Sequence, residues 1–143
     1  MHIVVCGALV VDDTVLLVHR SPARRAYPDL WDLPGGHVEA DESERQALAR
    51  ELREEVGVEI VAESCSRLGD LRSGSGESAV NVAVWHVGAW LGSPTNRAPA
   101  EHDAIAWVRL SELGGLPLVH GGLPALLGAL NGPPASRLVE EVT

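Results

Sequence analysis

Lysine is missing from this chain of 143 residues, and all eleven of its cationic side chains are arginine. That absence removes two chemistries. A Walker-type P-loop needs a lysine on the phosphates, and Schiff-base catalysis needs a primary amine. Cysteine is scarce as well. Cys6 and Cys65 lie in apolar or small-residue surroundings without zinc-type spacing, so neither a disulfide framework nor a zinc site is expected, and both read as reduced thiols. No apolar run approaches the roughly 20 residues of a membrane span. The opening MHIVVCGALVV has no basic leader and no clear cleavage site and runs into Asp12 and Asp13, so it reads as a strand and not as a signal peptide. A cytoplasmic protein with no membrane partner is the expectation.

Positive charge is also short overall, with a net charge of -9. Duplex nucleic acid as a partner demands a basic face, and this balance disfavours it. A small phosphate ligand is still admitted, because metal ions can neutralise both sides. The length suits one domain able to bury most of its apolar surface.

The most informative stretch of what remains is acidic. Glu51, Glu54 and Glu55 stand at i, i+3 and i+4, which puts them on one helix face a turn apart. An acidic helix face is by default a solvated one. Three carboxylates on one patch nonetheless repel unless a cation or basic partner sits between them, and oxygen-rich clusters suit magnesium, manganese or calcium. The helix itself is well marked. Ser43 and Gln46 form a capping-box pattern, Gly57 supplies the stop, and Leu48, Leu52 and Val56 make a core stripe, which predicts a helix over 44–56.

Around this helix the chain alternates strand and turn signals. Residues 2–11 and 14–19 read as a hairpin about Asp12-Asp13. Residues 20–34 are polar and proline-punctuated, a loop of a length that is often functional, offering Arg24, Arg25 and Tyr27 to a ligand. A strand-like run with polar interruptions over 58–71, a turn at Ser73–Gly76, a strand over 79–91 apolar on both faces, and a strand over 104–110 follow. Beyond Pro124 a short helix, ALLGAL, is expected to end at Asn131-Gly132, with a tail over 133–143. The expected architecture is α/β, one domain over 1–132, with helices on both faces of a mixed sheet.

The run from Gly36 to Val58 resembles the Nudix box: Gly, five residues, Glu, seven residues, Arg-Glu, an aliphatic, any residue, Glu-Glu, any residue, Gly, an aliphatic. Gly36, Glu42, Arg50, Glu51, Leu52, Glu54, Glu55, Gly57 and Val58 fill every specified position. The resemblance implies a Nudix-type α/β/α sandwich and hydrolysis of a pyrophosphate bond in a nucleoside diphosphate linked to another moiety, with Mg2+ or Mn2+ as activator. It implies that Glu54 and Glu55 bind metal, that the Gly36 carbonyl adds a ligand, and that Glu51 binds metal or takes the water's proton. Arg50 would orient the carboxylates, with Glu42 its partner. A further acidic ligand comes from a late loop in the family, where Glu101 matches best and Glu77 and Asp103 less well.

A nucleoside triphosphate, oxidised and non-canonical ones included, is the expected substrate, cleaved to the monophosphate and pyrophosphate. ADP-ribose or another nucleotide sugar is the second reading. A catalytically silent nucleotide-binding regulator and an isoprenoid diphosphate isomerase are the alternatives of other kinds; intact glutamates speak against the first, and cysteines without a catalytic setting against the second. Arg20, Arg24 and Arg25 are candidates for phosphate, since arginine forks suit it. Trp31, Trp85, Trp90 and Trp107 are candidates for base stacking, against the commoner packing role. His37, His86 and His102 read as surface or hydrogen-bonded residues. His120 lies near the position where MutT-type members present an asparagine to oxidised guanine, a departure that leaves 8-oxo-dGTP specificity open. A homodimer stays open as a partner.

Overall fold

A computed structural model describes residues 2–130 and 141–142. Its centre is strand β1 (His2–Val11), whose side chains alternate between two cores. Val5 and Leu9 enter one, and Cys6, Ala8 and Val10 the other. A strand buried on both faces reads as a continuous apolar run, which is why this segment shows no polar alternation. Asp12 adopts φ 54°, a left-handed conformation that aspartate tolerates, and turns the chain so that Val11 pairs with Thr14 at the start of β2 (Thr14–Arg20).

Short strands β3 (Trp31–Asp32) and β4 (Gly35–His37) pair antiparallel with β2 and β1. Helix α1 (Glu44–Val56) follows, with the Ser43–Gln46 capping box formed in both directions and Gly57 at φ 73° closing its end. Leu48, Leu52 and Val56 are fully buried against the sheet. Each such leucine contributes about 1.5–3 kcal/mol by leaving water. The chain then forms β5 (Glu59–Ile60), β6 (Cys65–Ser73), β7 (Val80–Val87), β8 (Trp90–Leu91) and β9 (His102–Arg109).

β7 lies parallel to β1, β6 antiparallel to β7, and β9 antiparallel to β2. The main sheet therefore has seven strands and mixed sense, ordered β3-β2-β1-β7-β6 with β4 and β9 attached to β1 and β2. Helix α1 covers one face. Leu113, from a 3-10 turn over 110–115, and Leu123 and Leu127, from helix α2 (Leu123–Leu127), cover the other. Both cysteines are buried and free. Among the described residues no helix is long and apolar enough to cross a membrane.

Several boundaries differ from expectation. The run over 79–91 breaks at Gly88-Ala89, where the Ser64 carbonyl and hydroxyl take the two backbone N–H groups, and Trp90–Leu91 leaves for a second sheet with β5. The run over 58–71 divides for the same reason: a 3-10 turn over 62–64 carries Ser64 between β5 and β6. The segment over 20–34 is not structureless throughout, since it ends in β3. Helix α2 begins one residue before Pro124, which sits in the first turn, where its missing N–H costs no hydrogen bond. The Asn131-Gly132 stop and residues 133–140 lie outside the described residues. Glu141–Val142 form strand β10, parallel to β8.

Candidate active site

The α1 carboxylates face a cavity of about 590 Å3 whose lining includes Gly35, Gly36, Arg50, Glu51, Glu54, Glu55, Glu101 and His102. Local structure builds this wall. The Gly35–Gly36 strand passes so close to its neighbours that a Cβ on Gly35 would run into the Val5 carbonyl and one on Gly36 into the Glu51 carboxyl. Only glycine lets β4 slip between β1 and the helix.

Arg50 ties the acids together. Its guanidinium donates to both oxygens of Glu42 at 2.7 and 3.0 Å, to Glu51 at 2.9 Å, and to the His37 carbonyl at 3.0 Å, with Glu54 at 3.5 Å. The fork geometry of arginine suits this multiple engagement; a lysine would supply a point charge. Hydrogen bonding to Arg50 holds the Glu42 carboxyl well below the ordinary carboxylate range and raises the guanidinium's own pKa.

The three helix carboxylates grade from core to solvent. Glu55 is 6% exposed, while the side chains of Glu51 and Glu54 are 14% and 60% exposed. Glu55 accepts the Gly35 N–H at 3.1 Å, yet burial and then the charges of Glu51 and Glu101 push its pKa up to about 9. A buried carboxyl of this kind is held protonated unless a cation compensates it. The donor set fits a divalent cation: ligand atoms of Glu55, Glu101 and His102 lie within 4.8 Å of one another, with Glu51 and Glu54 on the same wall.

Glu101 reaches this wall because the loop before β9 docks on the end of α1. The Thr95 and Arg97 N–H groups donate to the Val56 and Glu55 carbonyls, satisfying acceptors the helix end leaves open, and Asn96 Nδ2 donates to the His102 carbonyl at 2.7 Å. Glu101 stands 3.7 Å from Arg24. Of the weaker alternatives, Glu77 is exposed and does not line the cavity, and Asp103 is paired with His19 at 2.6 Å on the other side of β9.

The same cavity is also lined by Arg20, Arg24, Tyr27, Asp32 and His120. Arg20 is occupied locally, donating to the Ala26 and Tyr27 carbonyls, so it shapes the loop around Tyr27. His120 arrives because residues 117–119 pair alongside Trp31, with Trp31 N–H on the Pro117 carbonyl and Val119 N–H on the Trp31 carbonyl. Burial lowers its pKa. Arg25 is exposed and does not line the cavity.

None of the four tryptophans lines it either. Trp31 packs on His19, Trp85 donates to Glu44 at 2.9 Å, Trp90 is wholly buried, and Trp107 stacks on Trp90. The packing role prevails because the strands that carry them turn these rings away from the cleft.

Two lining residues escaped the sequence. Asp32 sits recessed at the foot of the cavity, where desolvation raises its carboxyl to about 6 against the Leu33 N–H that it accepts. Its place beside Trp31 in a short strand was the available signal. His102, expected as a surface or hydrogen-bonded residue, is instead 3% exposed with Nδ1 unpartnered, and burial lowers its pKa to about 4. The docked loop turns the first residue of β9 inward, which spacing alone does not reveal.

A mixed sheet between helices, with an arginine-braced carboxylate wall suited to a divalent cation, defines a metal-dependent hydrolase of the α/β/α sandwich class. The NUDIX domain pattern matches residues 1–126, and the chain belongs to that family and is a Nudix hydrolase. It is 37% identical over 123 residues to the CTP pyrophosphohydrolase of Escherichia coli K12, covering 85% of this chain and 87% of that one. It is 38% identical over 141 residues to the putative 8-oxo-dGTP diphosphatase 2 of Mycobacterium tuberculosis H37Rv, covering 94% of each. Among solved structures, the MutT Nudix hydrolase of Burkholderia pseudomallei superposes with a TM-score of 0.77 at 28% identity, covering 87% of this chain and 95% of that one. The E. coli ORF135 protein superposes at 0.74 and 32%, covering 91% and 89%.

Proposed function

We propose that the protein hydrolyses a nucleoside triphosphate, non-canonical and oxidised forms included, to the monophosphate and pyrophosphate, using Mg2+ or Mn2+. The observation that carries this is the mixed lining of one cleft. Carboxylates able to hold a cation share it with Tyr27, Asp32 and His120. A triphosphate chain would lie toward the carboxylates and a base toward Asp32, whose oxygen offers an acceptor to base N–H groups. Near-full-length relatives named for CTP and 8-oxo-dGTP support a nucleotide of this size.

A cation held by Glu54, Glu55, the Gly36 carbonyl and Glu101 would neutralise the phosphate oxygens, make phosphorus more electrophilic and lower the pKa of water. The chain's own contribution is arrangement. Arg50 fixes Glu51 toward the cleft, where its carboxylate can bind the cation or take the attacking water's proton, and Arg24 faces the phosphate path beside Glu101. The test is a panel of canonical, oxidised and deaminated nucleoside triphosphates plus ADP-ribose, with magnesium, scored for phosphate, pyrophosphate and nucleoside monophosphate. Monophosphate and pyrophosphate from a triphosphate are expected. Turnover of ADP-ribose alone, or binding without any turnover, would overturn the assignment.

A further inference from the structure

His102 has no role in the reaction as set out so far, and its surroundings are unusual. The residue is 3% exposed, Nδ1 is buried with no hydrogen-bond partner, and Nε2 faces Glu55 Oε1 at 4.0 Å, too far for a hydrogen bond. Nε2 is the nitrogen turned to the carboxylates, and a buried imidazole that makes no hydrogen bond there costs free energy unless a group absent from the protein chain completes it. The backbone aims the ring firmly. Asn96 Nδ2 holds the His102 carbonyl, and the His102 N–H donates to the Ala98 carbonyl at 2.9 Å, so the backbone that carries the buried ring is pinned on both sides of its Cα.

The neighbours of the ring are those of a metal site. Ligand atoms of Glu55, Glu101 and His102 lie within 4.8 Å of one another, close to the span of a single ion with ligand distances of about 2.0–2.6 Å. The three come from two elements packed together, α1 and the start of β9, and the cavity opens onto all of them. We propose that His102 is a nitrogen ligand to the cation held by Glu55 and Glu101, making this a mixed oxygen and nitrogen site that selects manganese over magnesium. The proposal rests on the reading of Glu55 and Glu101 as cation ligands. The chemical reason for the preference is ligand character. Magnesium takes oxygen donors in near-ideal octahedra and gives up water reluctantly, whereas manganese, though it shares the taste for oxygen, opens the transition series whose affinity for nitrogen donors rises, and so loses less when an imidazole replaces an oxygen.

The test uses manganese itself as the probe, on the full-length protein, without turnover. Electron spin-echo spectroscopy of the Mn2+-loaded wild type is expected to show coupling to a directly bound imidazole 14N, and His102→Gln, which replaces the nitrogen by an amide at similar reach, is expected to lose it. In direct titrations the variant's Mn2+ dissociation constant should rise about tenfold or more while that for Mg2+ moves much less. Circular dichroism in EDTA checks folding, and His102→Asn repeats the measurement should His102→Gln misfold. Mn2+ that binds the wild type and is lost in Glu55→Gln, yet shows no 14N coupling, overturns the proposal and leaves the hydrolase reading standing. An unchanged ratio of Mn2+ to Mg2+ affinity in the variant also overturns it. Mn2+ binding indifferent to Glu55→Gln removes the cation assignment of Glu55, and the proposal with it.

Discussion

Glu55→Gln is expected to stabilise the metal-free protein while abolishing its response to cations. The folded carboxyl, raised to about 9, holds a proton that the unfolded chain releases near the ordinary value of 4.5. Its contribution to stability is therefore fully present below the unfolded value and is lost as pH rises toward the folded one. The slope is about 1.4 kcal/mol per pH unit, so between pH 6.5 and 8.5 the wild type loses up to about 2.7 kcal/mol that the glutamine variant keeps. For a domain of this size that corresponds to about 5–10 °C in Tm. In the folded protein His102 and Asp32, at about 4 and about 6, titrate below this window, and the Cys6 thiol, pushed up chiefly by burial, stays protonated across it. Glutamine keeps the volume and an oxygen for the Gly35 N–H, so neither a cavity nor an unpaired Gly35 N–H confuses the comparison. Added Mg2+ reverses the order, since a ligand at a hundred times its Kd stabilises the wild type by about 2.7 kcal/mol and the variant not at all. Calorimetric melts in EDTA and in Mg2+, at pH 6.5 and 8.5, measure all four quantities. A wild type whose Tm in EDTA falls no faster with pH than the variant's would refute the account of Glu55.

Three further outcomes follow from the same wall. Glu54→Gln is expected to reduce turnover by at least about a hundredfold while changing stability by less than about 0.5 kcal/mol, because the side chain is largely exposed and only its charge is lost; near-normal kcat would remove Glu54 from the site. Glu101→Ala is expected to weaken activity more than Glu77→Ala, since only Glu101 lines the cavity, and the opposite ranking in kcat/KM would move the extra ligand to the glycine-rich turn. Leu52→Ala is expected to lower unfolding free energy by about 2–5 kcal/mol in urea melts, because the side chain is wholly buried between α1 and the sheet.

Legibility tracked how local the cause was. Helix α1 was readable because its capping box, glycine stop and apolar stripe are all encoded within fifteen residues, and the structure forms each of them. The hairpin about Asp12-Asp13 was readable for the same reason. The strand over 79–91 was misjudged at its end because its break is imposed from elsewhere, by Ser64, whose backbone and hydroxyl oxygens capture Gly88 and Ala89 from 24 and 25 residues away. The same distinction divides the site. The spacing of the glutamates showed which residues share a face, but their gradient from buried Glu55 to exposed Glu54 depends on how the helix sits on β4. Asp32 and His102 carry little local pattern; their places in the cavity come from a short pairing of Trp31 with residues 117–119 and from a loop held by the last carbonyls of α1.

The parallel pairing of β1 with β7 joins His2 to Val80 and Leu9 to Val87. Strand β1 thus takes a partner almost eighty positions further along the chain. The β1–β2 hairpin sends apolar side chains to both faces, and α1 covers only one of them. Pairings of such sequence separation close slowly, because chain entropy is lost before contacts repay it. The carboxylate wall likewise joins distant positions: Glu55 on α1 meets Glu101 on the loop before β9, which docks on the end of the helix. Folding is expected to be limited by this long-range closure, and an unpaired β1 edge would be the element open to association with other strands.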